Sequence, residues 1–311
     1  MLSLALALAL CACEPQAPSP AVDRANDLHT LAPTSLPEFF DCLRERGQTI
    51  IAAHRGGPVP GFAENAIPTF ENTLLQAPVM LEIDIAETSD GVLVLMHDDT
   101  LERTTNGDGA VGDVTLAQLQ ALRLEDETGR TLDAHPPTLR EALDWADGKA
   151  IFELDVKRGV SYEDVMAEVR TSNAAERVIF ITYSVAAAIR VHRLAPELMI
   201  STSIESDADL DTLERAGVDL ARVLAWTGIE EPNAELNLSL AAHGVEAMFG
   251  TLGGRDSWDH RFAREGREQY AAFAETGLQL ISTDRVAEAA RDLDAADGVD
   301  GFGAMQCIAA R

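Results

Sequence analysis

The sequence predicts an α/β fold built on a parallel sheet, most economically one closed barrel of eight β/α units. Short apolar runs of strand length alternate with helix-like stretches from about residue 49 onward, the pattern that parallel strands and their crossover connections require. The 311 residues are 46% hydrophobic, enough for one large α/β barrel or for two ordinary domains. No solenoid-type repeat competes with this reading, and no stretch is long enough for a coiled coil.

Strands are expected at TIIAAH (49–54), VMLEIDI (79–85), VLVLMH (92–97), AIFELDVK (150–157) and VIFITYS (178–184). LMISTSI (198–204), ARVLAW (221–226), VEAMFG (245–250) and LQLIST (278–283) follow. These are nine candidates for eight barrel positions, so one of the later ones is expected outside the barrel, with 221–226 and 245–250 the weakest. Helices are expected between them, at 115–123, 138–146, 161–171, 184–194 and 208–216, several stopping before Gly or Pro. A single domain then covers residues 48–290. Residues 14–47 supply a tether and an N-terminal docking segment, and residues 291–311 a terminal helix or tail.

The ends of the chain suggest export. An apolar run from Leu2 to Ala12 is too short to span a bilayer and reads as the core of a secretory signal over residues 1–13, although no basic residue precedes it. The tetrad Leu10-Cys11-Ala12-Cys13 resembles a bacterial lipobox, which would make Cys13 the lipidated first residue of a periplasmic or cell-envelope lipoprotein. A simple cleaved signal without lipid is the alternative. Cys42 and Cys307 would then remain, either as a disulfide or as two buried free thiols.

Charge excludes one class of partner. With 52 acidic against 24 basic residues, the formal charge is −28, which argues against nucleic acid, whose affinity rests on Lys and Arg neutralising phosphates. Such a surface also repels other anionic ligands, so a site for one must build a local positive field. Solubility or a saline habitat accounts for most of the acidity.

The polar residues on the strands suggest chemistry. His54 and Arg55 end the first strand, and His97 ends the third. Glu82 and Asp84 lie two apart on the second, as do Glu153, Asp155 and Lys157 on the fourth, so each set leaves one face. In a parallel barrel the carboxyl ends of the strands gather on one rim, where active sites form. Carboxylates inside apolar strands are costly unless paired or metal-bound. Isolated salt bridges with Arg55 and Lys157 would account for them but leave both histidines unexplained. A hard divalent cation on oxygen ligands, Mg2+ or Ca2+, accounts for more. Zinc fits less well, because no HxH or HExxH spacing is present. Two histidines could then serve as general base and general acid, with Arg55 and Lys157 holding phosphoryl oxygens.

AHRGG (53–57), ENAIPTFENTL (64–74), LEIDI, DGVLVLMHDDTLERTTNGDG (90–109), PPTLREALD (136–144) and LISTDR (280–285) together resemble the glycerophosphodiester phosphodiesterase family. The motifs run in order to about residue 157 and return near 284, while 160–275 matches only in its alternation. The resemblance implies a TIM-like (β/α)8 barrel and metal-dependent hydrolysis of glycerophosphodiesters to glycerol 3-phosphate and an alcohol. By motif, His54 and His97 match catalytic histidines, Glu82 and Asp84 metal ligands, and Arg55 the phosphate-contacting arginine. Asp155 and Lys157 stand where the family carries Glu-x-Lys, so Asp155 is the expected third ligand, with Glu153, one pleat earlier, either the ligand in its place or a partner behind it. Glu64 and Asn65 match a PEN motif in which Ala63 replaces proline, and are expected to orient the loop above His54. In the implied mechanism a glycerol hydroxyl attacks phosphorus and water then opens a cyclic phosphate.

Two other readings remain. A phospholipase-like activity of phosphoinositide or sphingomyelinase type would favour an apolar, aromatic rim, yet aromatics are only 5% of the chain and form no cluster in sequence. A catalytically silent binding lipoprotein on the same barrel is opposed by the intact His54, His97, Glu82 and Asp84.

Overall fold

The computed structural model describes residues 28–299 and 301–309. The apolar leader with Cys11 and Cys13, and most of the Pro-rich tether, lie outside the described residues. Nine strands form in chain order: β1 (Ile50–Ala53), β2 (Met80–Glu87), β3 (Leu93–Leu95), β4 (Phe152–Val156) and β5 (Val178–Thr182). They continue as β6 (Met199–Ser203), β7 (Val223–Trp226), β8 (Glu246–Gly250) and β9 (Leu280–Thr283). Every pairing is parallel except that of β3, and β1 pairs with both β2 and β9. Eight strands thus close into a TIM barrel with helices around it.

The surplus strand is β3, which corrects the expectation that it would be one of the later runs. Both 223–226 and 246–250 are barrel strands. Strand β2 is eight residues long and runs past the barrel rim. The chain turns at Asp90 and Gly91, where Gly91 has φ 78° and the Thr88 hydroxyl donates to Asp90 at 2.7 Å. β3 then returns antiparallel, with Ile85 opposite Leu95. An apolar run of strand length does not reveal whether its partner is parallel, which is why the sequence pattern could not separate the two cases.

Alternation along the strands divides the barrel into layers. Outward residues such as Ile51, Leu81, Ile83 and Leu154 join the core beneath the helices. Inward residues at the lower end, among them Met80, Ile151, Ile179, Met199 and Leu224, form a second apolar cluster. The helix Leu36–Arg46 closes that end by adding Phe39, Phe40 and Leu43 to the same cluster. Its boundaries follow from local chemistry: the Ser35 side chain caps the first turn, and Gly47 ends the helix at φ 63°. Arg44 reaches into the floor to bond buried Glu246. The upper interior is left for polar groups.

Cys42 on this helix and Cys307 form a disulfide, which resolves the two alternatives left open by the sequence. It ties the floor helix to Met305–Ala309 across 265 residues of chain. Replacing both cysteines by serine should lower stability by about 2–5 kcal/mol, read as an earlier urea midpoint. Turnover at 25 °C should be retained, because the bond lies at the opposite end from the mouth.

Candidate active site

Strand register assembles the acidic cluster. Glu82 pairs with Glu153 and Asp84 with Asp155, so four inward carboxylates form two adjacent rows on β2 and β4. Oxygens of Glu82, Asp84 and Asp155 come within 4.8 Å of one another, and all three residues are buried. Glu153 stands outside this trio, one row deeper, and accepts a 2.7 Å hydrogen bond from the Ser201 hydroxyl. Burial pushes the Glu153 carboxyl up to about 7 against the lowering effect of that bond. Burial, then the like charge of Asp84, also raises Glu82 well above the ordinary carboxylate range.

The one ammonium inside the trio belongs to Lys157, 2.5 Å from Asp84 Oδ1 and 2.6 Å from Asp155 Oδ2. The trio also faces the Arg55 guanidinium, 4.0 Å from Asp84, and the burial and like charge that raise Glu82 are costs that a divalent cation would offset. The donors are all oxygens, the set that suits a hard ion. The residues therefore fit a metal ion.

The AHRGG segment forms a tight left-handed turn at the end of β1. Arg55 has φ 51°, and Gly56 and Gly57 have φ 81°. A Cβ on Gly56 would lie 2.2 Å from Phe70, so only glycine fits there. Strain at the non-glycine Arg55 is opposed by its backbone N–H, which donates to Glu82 Oε2 at 2.7 Å. Asn65, also left-handed at φ 56°, locks the same corner. Its backbone N–H donates to the Arg55 carbonyl, its side chain donates to Asp84 Oδ2 at 2.7 Å, and its Oδ1 accepts from the Asp84 N–H. Asn65 thus orients a carboxylate of the trio as well as the loop.

His54 and His97 both line the cavity at the mouth, together with Glu82, Asp84, Asp155 and Lys157. The cavity encloses about 300 Å³. His97 reaches it because β3 doubles back: the Met96 N–H donates to the Asp84 carbonyl. The expectation that His97 ends a barrel strand is therefore corrected, although its place at the mouth stands.

Each imidazole is held at Nδ1 by an aspartate, His54 by Asp284 and His97 by Asp98, both at 2.6 Å. A carboxylate accepting at Nδ1 fixes the proton there and turns Nε2 to exchange. Asp284 sits below the usual carboxylate range: burial works upward, but the His54 hydrogen bond and charge outweigh it. Arg103 donates to both Asp98 and Glu64, and Glu64 in turn binds Arg55. Burial would raise Glu64, yet the two arginines hold it below its ordinary value. Arg55 Nε is buried without a hydrogen-bond partner and lies 4.0 Å from Asp84 Oδ2.

Asp98, Arg103 and Asp284 were not singled out from the sequence, although all three lie within the quoted motifs HDDTLER and LISTDR. A usable signal was present, since an acid following a strand-end histidine, or closing the last strand, is placed to orient an imidazole. Replacing Asp284 with asparagine should lower turnover about ten- to a hundredfold, as losing a partner that orients a functional imidazole does. Steady-state assays would show this mainly in kcat. An unchanged rate would remove Asp284 from the site.

Residues 54–245 match the glycerophosphoryl diester phosphodiesterase family. A glycerophosphodiester phosphodiesterase of Caldanaerobacter subterraneus is 31% identical over 160 residues, covering 49% of this chain and 65% of the relative. One from Bacillus subtilis is 31% identical over 173 residues, covering 48% and 57%. The chain thus spans less than two thirds of the length of these curated relatives. A crystal structure of a glycerophosphoryl diester phosphodiesterase from Parabacteroides distasonis superposes with a TM-score of 0.75 at 30% identity, covering 88% of this chain and 96% of that one.

Proposed function

The chain belongs to the glycerophosphoryl diester phosphodiesterase family, and on that premise we propose that it hydrolyses glycerophosphodiesters to glycerol 3-phosphate and an alcohol. The observation that carries this is the mouth itself: two aspartate-held imidazoles share one cavity with three convergent carboxylates.

In the proposed reaction one neutral imidazole accepts the proton of a glycerol hydroxyl through Nε2 as that oxygen attacks phosphorus. The other, as imidazolium, gives its Nε2 proton to the departing alcohol, and a five-membered cyclic phosphate forms. Water then opens the ring with the roles reversed: the second imidazole takes the water proton and the first returns a proton to the glycerol oxygen. Both histidines end as they began.

Arg55 and Lys157 hold the non-bridging oxygens, the local positive field that an acidic protein needs around an anion. Glu82, Asp84 and Asp155 would hold one divalent cation, Mg2+ or Ca2+, which when bound offsets negative charge developing on the phosphoryl group. The proposal extends to export, supported by the Cys42–Cys307 bond, because disulfides persist in oxidising compartments. Lipidation of Cys13 belongs to the same proposal and would tether the barrel to a membrane.

Incubation with glycerophosphocholine and Mg2+ or Ca2+ tests the activity, with glycerol 3-phosphate measured by an enzyme-coupled assay. Release above a His54→Ala control is expected. No release from any of several glycerophosphodiesters would overturn the proposal in favour of a binding role.

A further inference from the structure

One buried carboxylate stands outside the acidic cluster and takes no part in the proposed reaction. Asp259 lies in the first turn of the helix Trp258–Glu265 and is 1% exposed. A carboxylate so placed is costly unless its oxygens are filled, and here they are. Oδ1 accepts from the Tyr270 hydroxyl at 2.7 Å and from the Thr283 hydroxyl at 2.9 Å. Oδ2 accepts from the same Thr283 hydroxyl at 2.9 Å and from the Asp284 N–H at 2.7 Å. Burial, then the charge of Asp259, raises the Tyr270 phenol above its ordinary value, which keeps it a donor.

These bonds converge on the end of β9. The last register pair of that strand joins Ala53 to Thr283, so Asp284 lies one residue past the ladder. Among the described residues no backbone carbonyl takes its N–H, and Asp259 fills the place of a sheet neighbour. The other end of Asp284 is held as well. Its Oδ2 accepts from the Gly253 N–H at 3.2 Å, and its Oδ1 meets His54 Nδ1 at 2.6 Å. Gly253 has φ 123°, a conformation that favours glycine. Asp259 also bears on that loop, because its own N–H donates to the Thr251 carbonyl.

A purely structural role would have Asp259 dock its helix on the barrel, with the helix dipole favouring an acid in the first turn. Docking is already served by apolar contacts: Phe262 of the same helix is fully buried and packs edge to face on Tyr270. An apolar residue at 259 would dock the helix at less cost in desolvation. What it could not do is bond the Asp284 N–H.

We infer that Asp259 is a positioning residue: it clamps the Asp284 backbone so that the Asp284 carboxylate holds the His54 proton on Nδ1 and leaves Nε2 to exchange. It acts through Asp284 and touches neither the substrate nor the reacting atoms. This rests on the phosphodiesterase reading above, in which His54 moves protons, and adds to it the residue that sets the imidazole.

The test measures kcat and KM for glycerophosphocholine in the wild type, Asp259→Ala and Tyr270→Phe. It also reads the tautomer of neutral His54 from its imidazole 15N shifts, assigned by their absence in His54→Ala. Asp259→Ala should lower kcat about tenfold, with KM little changed, and should move the His54 proton from Nδ1 toward Nε2. Tyr270→Phe loosens the same buried network but leaves the bond to Asp284. It should lower the urea midpoint while keeping kcat and the tautomer. In an Asp284→Asn background Asp259→Ala should cost little more, since the two act in series. Asp259→Ser, which keeps a hydroxyl in the network, replaces the alanine variant in every arm if that one does not fold. In the folded variant, either an unchanged kcat or an unchanged tautomer overturns the inference. So does a loss that Tyr270→Phe matches, which would tie it to packing, and so does a full further loss in the Asp284→Asn background. If the wild type cleaves no diester the phosphodiesterase reading falls, and the tautomer alone then decides the clamp: a shift that Tyr270→Phe does not share supports it, and no shift overturns it.

Discussion

His54→Ala and His97→Ala are each expected to lower kcat by about 10²–10⁴-fold, the range for a lost general acid or base. Both side chains are partly exposed at the mouth, so neither change opens a cavity in the core, and the urea midpoint should move little. The two losses should differ in a way that assigns the roles. A diester whose leaving group is a phenolate needs little protonation, so the variant lacking the acid should recover much of its rate on it. The variant lacking the base should remain slow on every diester. Turnover by either folded variant close to that of the wild type would remove that histidine from the proposed reaction.

Much of the mouth was legible in the sequence for a physical reason. A carboxylate in an apolar strand breaks a strong pattern, so Glu82, Asp84, Glu153 and Asp155 stand out, and period-two alternation puts them on one face. What alternation cannot supply is the partner of a strand. VLVLMH reads like the barrel strands, and only the β2–β3 hairpin shows that His97 arrives by doubling back. Relations between distant segments were hidden in the same way. Tyr183 and Trp226 are 43 positions apart in sequence and form no aromatic cluster there, yet β5, β6 and β7 set them in one row. The Asp98–Arg103–Glu64–Arg55 chain joins four side chains that local pattern leaves unrelated.

Asp155→Ala is expected to abolish metal-dependent turnover, whereas Glu153→Gln should cost only about ten- to a hundredfold. The two residues face the same way on β4, about 6–7 Å apart by strand rise, so either could be matched to a ligand position by sequence. Geometry separates them. Asp155 lies in the trio with Glu82 and Asp84, bonded to Lys157 and Tyr183. Glu153 lies deeper and bonds Ser201, and its other oxygen is buried without a partner. An aspartate is one methylene shorter than a glutamate, but Asp155 sits nearer the rim, which makes up the reach. Removing it leaves two carboxylates beside Lys157, too few oxygens to hold a hard cation well. Glu153→Gln keeps the shape and a hydrogen-bonding end and changes only the field behind the site. Exhaustive chelation of the wild type should mimic Asp155→Ala, and added Mg2+ or Ca2+ should restore the wild type alone. Calorimetric cation titration of the three proteins makes the comparison without relying on turnover. Loss of cation binding in Glu153→Gln with binding retained in Asp155→Ala would shift the ligand assignment on β4 by one pleat repeat, and full activity after chelation would remove the metal from the reaction.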